Sequence, residues 1–148
     1  MQGLSALQER LGHRFRDPAL IERALTHASY ANERGPCLDQ EPLALIGDAV
    51  LGLVVAQRLV EECPEAPVGV LTPRRAAIVS GANLARWASQ LGLGAMLRLG
   101  RGEDLTGGRT RESILATTLE AVLGVLYLEG GVRAVRAAVD RLASNQPS

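Results

Sequence analysis

The sequence contains no lysine and has few aromatic residues. All 16 basic residues are arginine, and they balance 16 acidic residues to a formal net charge of zero. A neutral total argues against strong, nonspecific binding of nucleic acid through overall charge. One Phe, one Trp and two Tyr also make base stacking a poor mode of recognition. A local arginine patch is the remaining electrostatic route to a phosphate backbone.

Long hydrophobic runs and a metal-type cysteine pattern are also missing. The longest apolar run, AVLGLVVA at 49–56, is too short to cross a bilayer, and the start of the chain carries charges every few residues. Cys37 and Cys63 lie in unrelated surroundings without metal-ligand spacing, so we expect reduced thiols and neither a disulfide nor a zinc site. We therefore expect a cytoplasmic protein that does not contact a membrane.

The positions of the apolar residues predict an all-α domain. They recur at spacings of three and four, and no stretch alternates apolar with polar residues as a half-buried strand does. The chain has 148 residues, 47% of them hydrophobic, which is enough for one core. We expect a single domain over residues 1–143 and a disordered tail over residues 144–148.

Proline and glycine positions divide this pattern into six helices. Asp17-Pro18 and Thr72-Pro73 each combine an N-cap residue with a proline at the first helical position. Gly130-Gly131 ends another helix. The predicted helices are 4–11, one from 18, 41–62, 73–91, 114–129 and 132–142, with loops at 31–40 and 99–113.

Two apolar helices each carry an acid among hydrophobic residues: Asp48 in LIGDAVLG and Glu120 in LATTLEAVLG. A carboxylate on a mostly buried helix needs a partner, hydrogen bonds or a cation. Glu41 precedes Asp48 by about two helical turns, so both point the same way. If the helices pack together, a proton or a divalent cation would relieve the repulsion between Asp48 and Glu120. The alternative is that each acid is exposed or pairs with an arginine.

Four motifs in the same order resemble the catalytic domain of the ribonuclease III family over nearly the whole chain. They are FRDPALIERALTHASY, EPLALIGDAVLG, LTPRRAAIVSGANLARWA and GGRTRESILATTLEAVLGVLYLEGG. The resemblance implies the helical fold of the family's endonuclease domain and a homodimer. It also implies hydrolysis of double-stranded RNA with Mg²⁺, or with Mn²⁺ in its place. No double-stranded-RNA-binding domain is recognisable in the sequence.

The resemblance assigns the catalytic metal site to Asp48 and Glu120, which match the family's Asp and its last Glu. Glu41 matches the first Glu of the family signature and is expected to support the site. Ala44 and Thr117 stand where the family has its second Glu and a later Asp, so two of four cluster acids are replaced. Thr117 would at most hold a water bound to the metal.

These replacements leave two interpretations open. The mini ribonuclease III branch is similar at both altered positions and is an active nuclease, which implies that Asp48 and Glu120 can suffice. Physically, Mg²⁺ keeps several waters and needs only one or two protein carboxylates. The alternative is a pseudoenzyme, a ribonuclease III-like dimer that binds RNA or a ribosomal particle without cutting.

The remaining candidates concern binding and assembly. Leu45 stands where the family has an aromatic residue that inserts across the dimer interface, and a leucine would bury less area there. His13 and His27 are expected to be structural, because the chemistry implied by the resemblance uses a metal rather than a histidine base. The candidates for phosphate contacts are Arg74, Arg75, Arg101, Arg109 and Arg111. A solvated connector is the alternative for the loop that holds the last three.

Overall fold

The computed structural model describes residues 3–145, and within them it contains nine α-helices and one 3-10 helix. The only extended pairing in the described range is an isolated parallel bridge between Thr26 and Arg98. The predicted all-α class is therefore confirmed. The helices are α1 (Leu4–Leu11), α2 (Pro18–Ala24), α3 (Ala28–Arg34), α4 (Glu41–Glu62), α5 (Val68–Ile78), α6 (Gly81–Gln90), α7 (Leu93–Met96), α8 (Arg101–Leu105) and α9 (Glu112–Ser144), with the 3-10 helix at Gly108–Thr110.

Helices α4 and α9 pack against each other and form the centre of the molecule, and α6 packs on α9. Their inner faces are fully covered: Val54 on α4 and Leu123 on α9 have no exposed surface, and neither does Trp87 of α6. Burial of these apolar side chains is the main force that holds the three helices together. The shorter helices surround this centre.

The two halves of α9 meet at Gly131, whose backbone has φ 70° and ψ −167°. This conformation is essentially restricted to glycine, so it interrupts the helix where the Gly-Gly pair predicted an end. The first half begins at Glu112, two residues before the predicted start, and the second half ends at Ser144. Of the predicted tail, Ser144 is helical and residues 146–148 lie outside the described residues.

The predicted bounds of two helices and the predicted start of a third are correct. The bounds of α1 and α4 agree with the predicted ranges. Asp17 caps α2, since its Oδ1 atom accepts hydrogen bonds from the backbone N–H groups of Ala19 and Leu20, at 3.0 and 3.3 Å. Pro18 follows at the first helical position, where a proline loses no hydrogen bond.

Four predictions about a helix start, an unbroken helix and two loops are wrong. Thr72-Pro73 does not begin a helix: Pro73 lies inside α5, which starts at Val68 after Pro67. The predicted long helix is broken at Ser80, whose Oγ accepts the N–H of Asn83 at 3.2 Å and caps α6. The loop at 31–40 begins with the end of α3, and the loop at 99–113 contains α8 and the 3-10 helix.

By length and composition alone, α4 and α9 would each be long and apolar enough to cross a bilayer. The prediction that the sequence has no run long enough to cross a bilayer missed both helices, because it counted only uninterrupted apolar residues. Core helices of soluble proteins pass the same test, and α4 and α9 are the pair that packs together at the centre of this fold. Their composition is accounted for by that packing.

Candidate active site

Two glycines allow the backbones of α4 and α9 to touch. A Cβ atom on Gly47 would lie 1.6 Å from the carbonyl oxygen of Glu120, and one on Gly124 would lie 2.2 Å from that of Leu43. Any side chain at these positions would therefore push the helices apart. The contact places Asp48, the residue after Gly47, beside the turn of α9 that carries Glu120.

The carboxyl groups of Asp48 and Glu120 lie within hydrogen-bonding reach of each other. Partial burial, together with hydrogen bonding to Asp48 and the charge of Asp48, raises the pKa of Glu120 to about 8. Asp48 is exposed and Glu120 is half-buried. No ion pair between residues 3 and 145 includes either acid. The pair thus has the electrostatics of a site that takes up a proton or a cation.

The other residues of the expected site do not add a third ligand. Glu41 is exposed at the start of α4, where its backbone N–H donates to Asp39 Oδ1 at 2.9 Å. Ala44 is 8% exposed and contributes only a methyl group. Thr117 donates its hydroxyl proton to the carbonyl of Ser113 at 2.9 Å. Within residues 3–145 no three His, Cys, Asp or Glu side chains are grouped for metal binding.

The donor set still fits a divalent cation of the Mg²⁺ type. Such an ion prefers oxygen ligands, keeps several waters and needs only one or two carboxylates. Asp48 and Glu120 supply two, and a nearby positive charge would favour the ionised form of Glu120, whose pKa burial and Asp48 raise. Asp48, being exposed, leaves one side of the pair accessible to a phosphate.

The five candidate arginines fall into two groups. Arg109 and Arg111 hold the segment between α8 and α9 together. Arg109 binds Asp104 and the carbonyl of Leu97, and Arg111 binds Glu103 and the carbonyl of Thr106. Both guanidinium groups are already engaged within the fold. The exposed group consists of Arg74, Arg75 and Arg101. Of these, Arg74 donates to the thiol of Cys63 at 3.3 Å.

Both histidines have structural partners, as predicted. His13 Nε2 lies 2.8 Å from Glu129 Oε1, and the two side chains are 15% and 6% exposed. His27 caps α3, because its Nδ1 accepts the N–H of Ser29 at 3.1 Å. Cys37 and Cys63 are both free thiols, also as predicted.

Leu45 is 73% exposed and is part of an apolar stripe on the outer face of α4. Leu53 and Val60, at spacings of eight and seven residues, are 55% and 52% exposed. Residues at these spacings lie on one helix face. A contiguous exposed apolar surface of this kind is typical of an interaction site.

Gln40 was not singled out by the sequence, although it is fully buried. Its side chain donates to the carbonyl of Ala24 at 2.8 Å and to Thr118 Oγ1 at 3.2 Å. The sequence gives one sign of this role: a glutamine directly before α4, at a position where a shorter capping residue is preferred.

Residues 17–145 match the family model of ribonuclease-III-like domains. The chain belongs to the ribonuclease III family. It is 46% identical to Ribonuclease 3 of Bdellovibrio bacteriovorus over 136 residues, which cover 91% of this chain and 58% of that protein. It is 48% identical to Ribonuclease 3 of Syntrophobacter fumaroxidans over 143 residues, which cover 95% and 59%. The chain thus spans less than two thirds of the length of these ribonuclease III relatives.

Solved structures agree with this assignment. The nuclease domain of ribonuclease III from Campylobacter jejuni superposes with a TM-score of 0.90 at 34% identity, covering 100% of this chain and 99% of that one. Dicer from Pichia stipitis superposes with a TM-score of 0.67 at 22% identity, covering 88% and 56%, and shows the shared fold alone. The predicted endonuclease-domain fold of the ribonuclease III family is confirmed.

Proposed function

We propose that this chain is the catalytic domain of a Mg²⁺-dependent endoribonuclease that cleaves double-stranded RNA, including ribosomal RNA precursors, in the cytoplasm. The observation that carries the proposal is the contact of α4 and α9 at Gly47. This contact joins the carboxyl groups of Asp48 and Glu120. These are the two positions that the family resemblance assigns to the metal.

Asp48 and Glu120 would hold the cation. When bound, Mg²⁺ supplies Lewis acidity that activates water and neutralises charge on the phosphate. The chain itself positions the two carboxylates. Glu120 lies on a half-buried turn of α9, and the exposed Asp48 faces the solvent, from which a duplex would approach. Glu41 would act as an outer carboxylate, and Thr117 would accept a hydrogen bond from water through its oxygen, because its proton is already donated.

Cleavage of a labelled RNA duplex with Mg²⁺, with Mn²⁺ or with EDTA tests this proposal. Asp48→Asn keeps the shape of the side chain and removes its charge, so cleavage should be abolished while the fold is retained. Glu9→Gln, at an exposed acid of α1, is the matched control and should cleave like the wild type. Cleavage by Asp48→Asn, or by the wild type in EDTA, contradicts the proposed site.

A catalytically inactive, RNA-binding dimer is the second candidate. It is favoured by Ala44 and Thr117, which leave a pair of acids where the family resemblance implies four. Two carboxylates attract a divalent cation less strongly than four. Binding of Mn²⁺, followed by electron paramagnetic resonance, separates the candidates: duplex binding without Mn²⁺ binding or cleavage supports the inactive dimer.

We further propose that the chain forms a homodimer through the apolar stripe of Leu45, Leu53 and Val60. The exposure of these side chains supports this, since burial against a second copy would remove them from water. One structure of the Campylobacter jejuni nuclease domain is described in terms of a region involved in its dimer formation. Arg74, Arg75 and Arg101 are better candidates for phosphate contacts than Arg109 and Arg111, whose guanidinium groups are engaged.

A further inference from the structure

Gln40 occupies an unusual place for a glutamine. It is the N-cap residue of α4, but its side chain makes no capping hydrogen bond and is fully buried. Its Nε2 instead donates to two other elements, the carbonyl of Ala24 at the end of α2 and Thr118 Oγ1 on α9. Its backbone N–H donates to the carbonyl of Thr26 at 2.9 Å. The residue is therefore bound from three directions.

Burial alone does not explain a polar residue at this position. The Oε1 atom of Gln40 is buried and has no hydrogen-bond partner in the described part of the chain. A buried acceptor without a partner is costly, and a leucine of similar volume would avoid that cost. The two hydrogen bonds donated by Nε2 are what a leucine could not replace.

These two bonds join the elements that carry the candidate site. Thr118 is fully buried and donates in turn to the carbonyl of Ile114 at 2.7 Å. It lies between Thr117 and Glu120 on α9. On the other side, the carbonyl of Gln40 accepts the N–H of Ala44 at 3.0 Å and so closes the first turn of α4. One amide thus connects the turn that begins at Glu41 with the turn that carries Glu120.

We propose that Gln40 is a positioning residue of the acid site. Its amide fixes the first turn of α4 against the Thr117–Glu120 turn of α9, and this sets the geometry of the Asp48–Glu120 pair. Gln40 acts through Thr118 and touches neither cation nor RNA. The inference rests on the proposed function in one respect, namely that the pair binds a divalent cation.

The test measures Mn²⁺ affinity of the purified chain by electron paramagnetic resonance, together with its melting temperature. Gln40→Leu should weaken Mn²⁺ binding about tenfold, the usual scale for residues that orient metal ligands. Thr118→Val removes the same link and should also weaken binding. The double variant should bind about as well as Gln40→Leu, because both changes break one connection.

Gln90→Leu is the matched control. Gln90 also has a buried Oε1 without a partner among the described residues, but it lies at the end of α6, near Arg10. The Gln90→Leu variant should bind Mn²⁺ with the affinity of the wild type. A residue with a merely structural role would change the melting temperature and leave the affinity of the folded chain unaltered. Unchanged Mn²⁺ affinity in folded Gln40→Leu overturns the inference.

Failure of the proposed function gives a different result. If the wild type does not bind Mn²⁺, the proposed cation site is disproved. Crystal structures of the wild type and of Gln40→Leu then test whether Gln40 positions the two acids. We expect the separation of the Asp48 and Glu120 carboxyl groups to change by more than about 0.5 Å, the tolerance of a preorganised site. An unchanged separation overturns the inference in that case.

Discussion

Glu120 combines two conditions that raise the pKa of a carboxyl group: partial burial and a like-charged neighbour within hydrogen-bond reach. Both favour its protonated form, so the pKa of Glu120 rises to about 8 from an ordinary 4.5. Near neutral pH the carboxyl group of Glu120 therefore holds a proton. A divalent cation would displace that proton, which couples metal binding to pH.

The raised pKa of Glu120 predicts a pH-dependent stability without divalent cations. Between about pH 4.5 and 8 the folded chain holds a proton that the unfolded chain has released. Stability therefore falls as pH rises through this window and levels off above it. Glu120→Gln removes the titrating group, so the stability of this variant should depend less on pH. At pH 9 the variant should be more stable than the wild type. Urea unfolding in EDTA at pH 5, 7 and 9 measures the effect.

Glu9→Gln serves as the control for that experiment, since Glu9 is exposed on α1. It should keep the pH dependence of the wild type. The same slope in Glu120→Gln and in the wild type would show that Glu120 is not the group responsible.

The apolar segments around Asp48 and Glu120 left their meeting open, and the resemblance to the ribonuclease III family was what assigned both acids to one site. Sequence reasoning could not identify Gln40. The role of that residue depends on Thr118, 78 positions away, and a tertiary hydrogen bond leaves no periodic pattern. The engagement of Arg109 and Arg111 within the fold was also not predictable, because their partners are set by the path of a short irregular segment.

At the scale of helices, the contact between α4 and α9 depends on Gly47. Gly47→Ala would place a methyl group 1.6 Å from the carbonyl oxygen of Glu120, and a helix backbone cannot yield as a flexible side chain can. We expect a loss of at least about 3 kcal/mol of stability, the upper end of overpacking effects. Urea unfolding measures it.

Gly102→Ala is the control for Gly47→Ala. Gly102 is also helical, in α8, but a Cβ there would meet no atom within 4 Å. Alanine should be neutral or stabilise by up to about 1 kcal/mol, because it restricts the unfolded chain. Equal changes in stability at Gly47 and Gly102 would mean that α4 and α9 can move apart without loss of free energy.

Glu129 on α9 binds the segment that connects α1 and α2. Its carboxylate accepts hydrogen bonds from His13 Nε2 at 2.8 Å and from the N–H groups of Arg16 and Asp17, both at 2.9 Å. Burial alone would raise the pKa of Glu129, but these hydrogen bonds outweigh it and lower the pKa below its ordinary value. The ionised form is thus the one that the fold binds.

Glu129→Gln should cost about 2 kcal/mol of stability at pH 7, the scale of a hydrogen bond to a charged group. Because the folded pKa is lowered, the stabilisation is present above the unfolded value of 4.5 and is lost as pH falls through the folded one. The difference between wild type and variant should therefore shrink at pH 3. Urea unfolding at both pH values measures it, and an equal difference at both would exclude a charge-dependent contact.

The helix bounds show which local signals are reliable. Asp17-Pro18 predicted α2 correctly because the cap forms within the helix itself and needs no tertiary partner. The similar Thr72-Pro73 signal failed because α5 begins at Val68, so Pro73 lies within it. Ser80 was the better signal, since a serine can cap the helix that follows it, and Asn83 supplies the N–H.

At the scale of the whole molecule, α4 carries an apolar surface that the packing of the described residues does not explain. Helix α4 buries one face against α9 and exposes the stripe of Leu45, Leu53 and Val60 on another. A helix that is apolar on most sides is stable in water when a second surface covers it. In a symmetric homodimer the same stripe on both chains would provide that cover. Asp48 lies on this same helix, so assembly and catalysis would be coupled.

Leu45→Asp should convert a dimer to a monomer, because a carboxylate within an apolar interface would be buried without a partner. Light scattering after size exclusion measures the mass. Leu105→Asp is the control: Leu105 is even more exposed, at 84%, but lies on α8 outside the stripe. It should leave the mass unchanged. If both variants and the wild type have the mass of one chain, the stripe does not form a homodimer. If Leu45→Asp alone is monomeric and also loses duplex cleavage, the second copy is required for activity, since the substitution leaves Asp48 and Glu120 in place.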